Sequence, residues 1–432
     1  MGLKVALVEG DKLGGTCLHI GCIPTKVLLE SSELYHRVAA RGKEFGVNAD
    51  GIQYDYAKIA ARRDAVVGQL YKGVQYLMKK NKIEIVEGQG RLRDRNTIDV
   101  GAKQLKGKNL IVATGSVVKA LPGIEFDGEF IVSSDHATLA TMVPESICII
   151  GAGAVGVEFA TLYSQLGVKV TLLEGLDRLV PLEDDDISKE MLSAFKKAGI
   201  DCRPGVKVKG AKKVREGVSV ETDQGEVWAR QLLVAVGRAP RSKDIGLDQV
   251  GVTTHPNGFI KVNEWMRTSA EGIHAIGDVV GGYLLAHAAS HEGIVATEDI
   301  AGQRLAPMEQ ELVTRCTYSH PQIASVGLTE KQAREKGHEV KIGKFPFTAL
   351  GRAIIHGETG GFVKMVSDSK TGRLLGAHIV GPNATELIAE PALTQLFQGD
   401  AWELGRNIHP HPTLSEAVME AAMAVDGRAI HI

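Results

Sequence analysis

The chain of 432 residues is 44% hydrophobic, which is enough for a sizeable core divided over roughly two to four domains. Its formal net charge of −2, with lysine and arginine spread along the chain, gives no indication of a nucleic-acid partner or an anionic membrane surface. Five cysteines, no N-terminal signal pattern and no apolar run of membrane-spanning length indicate a reducing intracellular compartment, so we expect a cytoplasmic protein.

The first motif along the chain is a pair of cysteines within Gly14-Gly15-Thr16-Cys17-Leu18-His19-Ile20-Gly21-Cys22-Ile23-Pro24-Thr25-Lys26. A helix that begins near Gly15 and the positive charge of Lys26 both favour a thiolate, as a disulfide-exchanging pair requires. The other interpretations are two buried small hydrophobic side chains, or half of a zinc site. We expect no metal, because Cys148, Cys202 and Cys316 stand alone without a ligand-spaced partner.

This stretch resembles the active-site motif of the flavoprotein disulfide reductases, and its Cys-Leu-x-x-Gly-Cys-Ile-Pro-x-Lys form is most similar to that of the dihydrolipoamide dehydrogenases. The resemblance covers essentially the whole chain. It implies an α/β protein with two Rossmann-like nucleotide-binding domains, one for FAD and one for NAD, and a C-terminal α+β interface domain. It also implies that Cys17 and Cys22 are a redox disulfide, with Gly15 and Thr16 among the cofactor-binding residues.

Two segments of the sequence recur, which predicts two nucleotide-binding units built alike. Residues 2–10 return as residues 167–175, and residues 109–115 return loosely as residues 231–237. In the second unit an apolar strand precedes the recurring segment and runs into Gly151-Ala152-Gly153-Ala154-Val155-Gly156, followed by a helical pattern to Gly167.

Those glycines form a dinucleotide fingerprint in the context that it requires, after a strand and before a helix. Gly151 allows the turn, Gly153 lets the backbone approach a pyrophosphate, and Gly156 permits close packing of helix on strand. Glu174 ends the next strand, where a carboxylate can bind both ribose hydroxyls and would repel a 2′-phosphate. The sequence therefore favours NAD over NADP, although Arg178 nearby keeps NADP open.

By the same repeat, Glu9 is expected to bind the ribose of a second nucleotide, which the resemblance identifies as FAD. The sequence departs from the family at this point, because the repeat requires a strand, a glycine fingerprint and a helix ahead of Gly2. About twenty residues are therefore expected to be missing, including a central strand and the loop for the FAD pyrophosphate. Either the start is misplaced or the chain is a truncated or altered form, and the retained catalytic set favours a misplaced start.

Further elements that would face FAD follow from the resemblance. The turn Ala113-Thr114-Gly115 resembles the strand end near the flavin nucleotide, and Gly237 is its counterpart in the second unit. Residues 268–278 resemble the second FAD motif, which ends in Gly277 and the ribityl-binding acid Asp278. The resemblance also places Lys26 beside the reactive nitrogen of the flavin, paired with Glu158, where a cation stabilises reduced flavin. Taken alone, Lys26 and Glu158 would each be interpreted as a solvated charge on a helix.

This order along the chain predicts a discontinuous FAD-binding domain. We assign residues 1–142 and 266–307 to it, residues 143–265 to the NAD-binding domain, and residues 308–432 to the dimerisation domain. Strand patterns at residues 321–330, 361–366 and 374–381 indicate an antiparallel sheet in the last domain.

The C-terminal end holds a histidine that is flanked by prolines and followed by a carboxylate. Thr413 and Glu416 form a capping-box pattern that predicts a helix from Leu414 to Val425. In the family the equivalent of His411 reaches the dithiol of the other subunit as general base, and Glu416 orients its imidazole. His409 is less suited to this role.

The resemblance implies oxidation of dihydrolipoamide to lipoamide through the disulfide and FAD, with NAD as electron acceptor, in a homodimer. It implies as partners the lipoyl domains of a 2-oxo acid dehydrogenase or glycine cleavage complex. Two alternatives stay open: a glutathione-reductase-like enzyme, which would be expected to carry basic residues where Glu174 stands, and a flavin-free non-catalytic subunit, which the missing first fingerprint allows.

Overall fold

Short strands alternate with longer helices between residues 131 and 204, as expected for a nucleotide-binding unit. The computed structural model describes residues 2–432. Its first part contains β1 (Ala6–Glu9), α1 (Gly15–His19), α2 (Cys22–Arg41), α3 (Tyr56–Lys80), β2 (Glu84–Glu87), β3 (Gly90–Asp94), β4 (Thr97–Val100), β5 (Lys103–Lys106), β6 (Leu110–Val112) and β7 (Ser116–Val118). Its middle part contains β8 (Ile131–Ser133), α4 (Ser134–Leu139), β9 (Ser146–Ile150), α5 (Ala154–Gln165), β10 (Lys169–Glu174), α6 (Asp185–Lys197), β11 (Asp201–Pro204), β12 (Val208–Val214), β13 (Gly217–Thr222), β14 (Gly225–Ala229), β15 (Gln231–Val234), β16 (Arg238–Pro240) and α7 (Leu247–Val250). Its last part contains β17 (Ile273–Ala275), α8 (Ala286–Ile300), β18 (Arg315–Thr317), β19 (Gln322–Gly327), α9 (Glu330–Glu335), β20 (Val340–Pro346), α10 (Gly351–His356), β21 (Phe362–Asp368), β22 (Leu374–Gly381), α11 (Ala384–Leu387), α12 (Ala389–Leu396), α13 (Ala401–Arg406) and α14 (Glu416–Ala424).

The second nucleotide-binding unit is a five-stranded parallel sheet in the order β11-β10-β9-β15-β8. The predicted apolar strand coincides with the central strand β9, and the predicted helix after the fingerprint is α5. Ile147 and Ile149 of β9 are fully buried, which explains its unbroken run of apolar residues. The sequence prediction of strand, glycine turn and helix is confirmed here.

The first unit forms two separate parallel pairs, β1 with β2 and β6 with β17. The pairing of β17 with β6 shows that the chain returns to this unit after the NAD-binding segment. By the internal repeat, β1 and β6 correspond to β10 and β15, both of which pair with β9. Within residues 2–432 no strand joins β1 to β6. Val5, just before β1, is 49% exposed, and Ile111, within β6, is 39% exposed.

Two short segments pack with a different part of the structure from the one that the predicted domain boundaries gave them. We assigned residues 131–133 to the FAD-binding part, yet this strand, β8, is an edge of the NAD-side sheet. Residues 247–262 were assigned to the NAD-binding part, yet Leu247 and Ile260 pack with Leu110 of β6 in the core of the first unit. Both segments are short, and their position is determined by pairing with distant residues rather than by a local pattern.

The C-terminal third is an antiparallel sheet in the order β18-β19-β22-β21-β20, with α14 packed on β20 and β21. The three predicted strand patterns correspond to β19, β21 and β22. Leu28 of α2, Phe159 of α5 and Val380 of β22 belong to one apolar core, so all three parts of the chain pack together. No helix within residues 2–432 has the length and apolar character needed to cross a membrane.

Candidate active site

Cys17 and Cys22 form a disulfide, with their Cα atoms 4.6 Å apart. A helix begins at Gly15 as predicted, but it ends at His19, and the second helix, α2, begins at Cys22 itself. Because α2 is 20 residues long, its positive N-terminal end stabilises a thiolate on its first residue. Of the two cysteines, Cys22 is therefore the better leaving group when the disulfide is opened.

One turn into α2, Lys26 forms an ion pair with a glutamate of the second unit. Its Nζ atom lies 2.9 and 2.8 Å from the two carboxylate oxygens of Glu158, whose side chain is only 6% exposed. The backbone N–H of Tyr318 donates to the same carboxylate at 2.9 Å, and the Tyr318 ring centroid lies 4.7 Å from Nζ. These contacts fix the Lys26 cation one turn after Cys22 on the same helix.

The fingerprint loop has the shape that a dinucleotide pyrophosphate requires. Gly151 has φ +100°, and a Cβ at Gly156 would lie 1.8 Å from the Gly151 carbonyl oxygen, so neither position accepts a side chain. At Gly153 a Cβ would meet no atom within 4 Å, so the space beside the N-terminus of α5 is open to a ligand. These features fit NAD bound at this turn.

Glu174 ends β10 next to that turn. Its Oε2 atom accepts from the backbone N–H of Ala152 at 2.7 Å, and its Oε1 atom accepts from that of Leu176 at 2.9 Å. Arg178, which left NADP open at the level of sequence, donates instead to the Pro181 carbonyl at 2.9 Å and pairs with Asp185. The guanidinium is therefore already engaged by the chain itself, which supports the preference for NAD.

The parallel strands β6 and β17 end side by side, and the predicted FAD-facing turns follow them. Asp278 accepts from the Ser116 hydroxyl at 2.5 Å and lies 3.8 Å from Nε of Arg238. Gly277 has φ +72°, and its N–H donates to the buried Glu292 at 2.6 Å. Open α/β sheets bind ligands in the crevice outside the carboxyl ends of parallel strands, which is where Asp278 lies.

Other predicted contacts to FAD lie at or just after the ends of β6 and β1. Ala113 and Thr114 are exposed, and the Thr114 hydroxyl donates to the Arg241 carbonyl at 2.6 Å. Glu9 ends β1 and accepts from the N–H of Asp11 at 2.9 Å, as Glu174 does at the end of β10. The residues present therefore fit the ribose and the flavin ring of FAD, whereas a second glycine turn for the pyrophosphate is not among residues 2–432.

His411 and Glu416 form the predicted pair, with Nδ1 of His411 2.9 Å from Oε1 of Glu416. Burial alone would raise the pKa of Glu416, but the Thr413 N–H and His411 hold this pKa below its usual value. The predicted helix start is wrong: α14 begins at Glu416 rather than at Leu414. The Thr413 hydroxyl donates to the Pro410 carbonyl instead of capping the helix, so only half of the predicted capping box forms.

In the single chain the His411 side chain is 78% exposed, and it lies on the domain whose α14 packs against β20 and β21. The structure thus brings Lys26 together with Glu158, and His411 together with Glu416. It leaves the imidazole directed to the outside of the chain, as a contribution to the site of a partner subunit would require.

The comparisons with known proteins agree with this arrangement. A family model described as pyridine nucleotide-disulphide oxidoreductase matches residues 1–293, and the dimerisation domain of the same family matches residues 313–422. The chain belongs to the pyridine nucleotide-disulphide oxidoreductase family. Members carry FAD and NAD, and the match to the dimerisation domain supports a homodimer for this oxidoreductase.

Its curated relatives include dihydrolipoyl dehydrogenases from Bacillus subtilis and Zymomonas mobilis, which are 46% and 41% identical over 100% of this chain and 94% of their own length. The oxidoreductase therefore groups with the dihydrolipoyl dehydrogenases. Among solved structures it resembles LpdA from Mycobacterium tuberculosis, with a TM-score of 0.91, 25% identity, and coverage of 97% of this chain and 93% of that one. It also resembles the flavoprotein disulfide reductase RclA from Escherichia coli, with a TM-score of 0.85, 26% identity, and coverage of 96% and 93%.

Three side chains of the oxidoreductase site were not found from the sequence. Tyr318 lies over Lys26, and no local pattern indicates this contact. Arg238 donates to the Ser116 hydroxyl at 2.7 Å. It directly follows the predicted Gly237, so its position in the sequence could have indicated that it belongs to the site. Glu292 is a buried acid within the largely apolar pattern of α8, and that mismatch could have drawn attention to it. Burial raises the pKa of Glu292, against the effect of the Gly277 N–H.

Proposed function

We propose that this chain oxidises dihydrolipoamide to lipoamide, with the Cys17–Cys22 disulfide as the first electron acceptor and NAD as the last. The observation that carries the proposal is the disulfide at the start of α2, one turn from the ion pair of Lys26 with the buried Glu158. The family and its relatives support the same reaction. When bound, FAD would accept the electron pair from the protein dithiol, and NAD would in turn accept it as hydride.

The exchange itself needs only thiols and one base. A thiolate of dihydrolipoamide attacks Sγ of Cys17, the disulfide breaks, and Cys22 leaves as a thiolate at the N-terminus of α2. The second substrate thiol loses its proton and attacks the mixed disulfide, so lipoamide forms and Cys17 is released as a thiolate. Two electrons pass from substrate to the protein dithiol, and each substrate thiol gives up one proton.

His411 of the partner subunit takes the thiol proton. Its Nδ1 atom faces Glu416, which fixes the tautomer with a proton on Nδ1 and leaves Nε2 as the basic nitrogen. The carboxylate then stabilises the imidazolium that forms. The exposed position of His411 in the single chain supports a role across the dimer interface.

We assign the cofactors to the residues that the sequence predicted. NAD is assigned to Gly151, Gly153, Gly156, Glu174 and Gly237. FAD is assigned to Glu9, Gly15, Thr16, Lys26, Ala113, Thr114, Gly115, Gly277 and Asp278, with Glu158 as the counter-ion of Lys26. For the natural substrate we propose the dihydrolipoyl groups on lipoyl domains of a 2-oxo acid dehydrogenase or glycine cleavage complex, in the cytoplasm.

Subunit exchange tests this function. A dimer of a Cys17→Ser chain with a His411→Gln chain has one doubly altered site and one intact site. Random reassortment of equal amounts makes half of the dimers mixed, so activity should return to about a quarter of the wild-type value. If mixed dimers form and remain inactive, His411 either serves its own chain or is not the base, and the proposed arrangement is wrong.

A further inference from the structure

The second histidine of the same loop, His409, is held differently from His411. Its side chain is only 2% exposed. Its Nδ1 atom lies 2.8 Å from the Asn407 carbonyl oxygen, and its Nε2 atom lies 3.0 Å from Oε2 of Glu390, in the first turn of α12. The other oxygen of Glu390 accepts from the side-chain amide of Asn407 at 2.8 Å. His409 and Asn407 thus tie the loop after α13 to α12.

Both ring nitrogens of His409 face groups that only accept hydrogen bonds. A backbone carbonyl cannot donate, and an ionised carboxylate cannot donate either. A neutral imidazole has one N–H and would leave one of these short contacts without a proton, whereas an imidazolium satisfies both. At His411 only the Nδ1 atom faces an acceptor among residues 2–432. The geometry therefore distinguishes His409 as the histidine of this loop that is suited to the doubly protonated state.

We propose, on the basis of the function proposed above, that His409 is a positioning residue: a doubly protonated imidazole, clamped between Asn407 and Glu390, that fixes the loop presenting His411. The cation cannot accept a proton, so His409 is excluded as the base. Its partner helix α12 also carries an exposed apolar stripe of Leu393, Leu396 and Phe397, which are 52%, 59% and 76% exposed. The clamp therefore connects the base to a surface suited to contact with a second copy of the chain.

The surrounding charges agree with this assignment. The hydrogen bond to Glu390 raises the pKa of His409, against the opposite effect of burial, and Glu416 on α14 acts in the same direction as Glu390. Burial would raise the pKa of Glu390, but His409 and Asn407 hold it below its usual value. The ion pair is thus fully formed at pH values between the lowered pKa of Glu390 and the raised pKa of His409. It is lost when the pH rises through the pKa of His409.

Two variants of Glu390 with different pH behaviour test the clamp. Glu390→Met keeps the length of the side chain but removes the counter-ion and both acceptors, so kcat with dihydrolipoamide should fall about tenfold at every pH, since a small displacement of a catalytic group has effects of this size or larger. In Glu390→Gln the amide N–H can donate to Nε2 of a neutral His409 while the amide oxygen still accepts from Asn407, so kcat should stay near the wild-type value at pH 8. Its ratio to the wild-type kcat should fall towards lower pH, where a proton on Nε2 meets that amide N–H.

The matched control is His338→Gln, which removes a histidine paired with Asp368 at 2.8 Å in the same domain but away from the loop. It should behave as wild type. Reduction of ferricyanide by NADH, which bypasses the dithiol, should stay within about twofold in all three variants and thereby reports intact folding and cofactor binding.

An unchanged kcat in Glu390→Met, or a Glu390→Gln ratio that does not vary with pH, would overturn the clamp. The proposed function has a separate readout, because it requires His411→Gln to lose dihydrolipoamide turnover. An active His411→Gln enzyme contradicts the proposed function, whereas an inactive one combined with a normal Glu390→Met enzyme contradicts the clamp alone.

Discussion

Replacement of Glu174 by glutamine separates the charge of this side chain from its hydrogen bonds. In the structure one carboxylate oxygen accepts from the N–H of Ala152, which is fully buried, and the other from the N–H of the exposed Leu176. A glutamine oxygen can keep the first contact, and the Leu176 N–H can turn to water. The fingerprint turn should therefore keep its shape in Glu174→Gln while the negative charge at the ribose is lost.

The dielectric constant of water gives a lower limit to the size of the effect, because the Glu174 side chain is partly buried. A unit charge pair at 4 Å in water interacts by about 1 kcal/mol, and a 2′-phosphate carries nearly two charges, so the repulsion that is relieved is about 2 kcal/mol. Exchange of a charged for a neutral acceptor at the ribose weakens NAD binding by about 0.7 kcal/mol. Together these terms lower the preference for NAD over NADP about a hundredfold.

The assay is kcat/KM for NAD and for NADP with dihydrolipoamide, measured for wild type, Glu174→Gln and Arg178→Ala. Wild type should prefer NAD by at least about tenfold. Arg178→Ala is the control, because this guanidinium binds the Pro181 carbonyl and Asp185 and should leave the ratio unchanged. A ratio that moves less than about threefold in Glu174→Gln, or one that moves in Arg178→Ala, would refute the assignment of selectivity to the Glu174 charge.

Two further predictions concern the dithiol and acid stability. Cys17→Ser should lose lipoamide turnover but keep a thiolate-to-flavin absorbance band, whereas Cys22→Ser should lose the band; equal spectra would contradict the assignment of Cys22 to the flavin side. Burial opposes ionisation of Asp299, but Arg267, His274 and Arg304 hold its pKa well below the usual range. The ionised carboxylate therefore stabilises the folded protein above about pH 4, and this contribution is lost as the pH falls through the pKa of Asp299 in the folded state. Asp299→Asn should therefore flatten the acid limb of the unfolding free energy measured by urea denaturation, and an unchanged limb would show that this cluster does not contribute.

The sequence was most informative where function requires local geometry. The strand, turn and helix around Gly151 follow from contacts within a short stretch, since Gly156 must touch the Gly151 carbonyl. The cysteine pair is similar, because a helix N-terminus and the following lysine belong to the same segment. Such features are visible as spacing, and the structure confirms the strand and the helices that carry them.

Contacts between distant parts of the chain could not be found in this way. The position of Tyr318 over Lys26 depends on how the interface domain packs against α2, and the membership of β8 in the NAD-side sheet depends on its pairing with β15. The start of α14 was misplaced for a local reason. The Thr413 hydroxyl contacts the Pro410 carbonyl and the Ser415 hydroxyl, and it does not accept from the backbone N–H of Glu416 as the capping box requires.

The internal repeat shows how these two levels combine. Residues 2–10 and 167–175 share a pattern, and each segment forms a strand that ends in an acid, Glu9 or Glu174. The Glu9 carboxylate accepts from a backbone N–H of the following turn, and the Glu174 carboxylate accepts from one of the fingerprint. Their surroundings nevertheless differ, because Leu172 of β10 is fully buried between two neighbouring strands, whereas β1 pairs on one edge only and remains partly exposed. The local sequence thus places the ribose-binding acid at the end of its strand, while the burial of that strand is decided by partners from elsewhere in the chain.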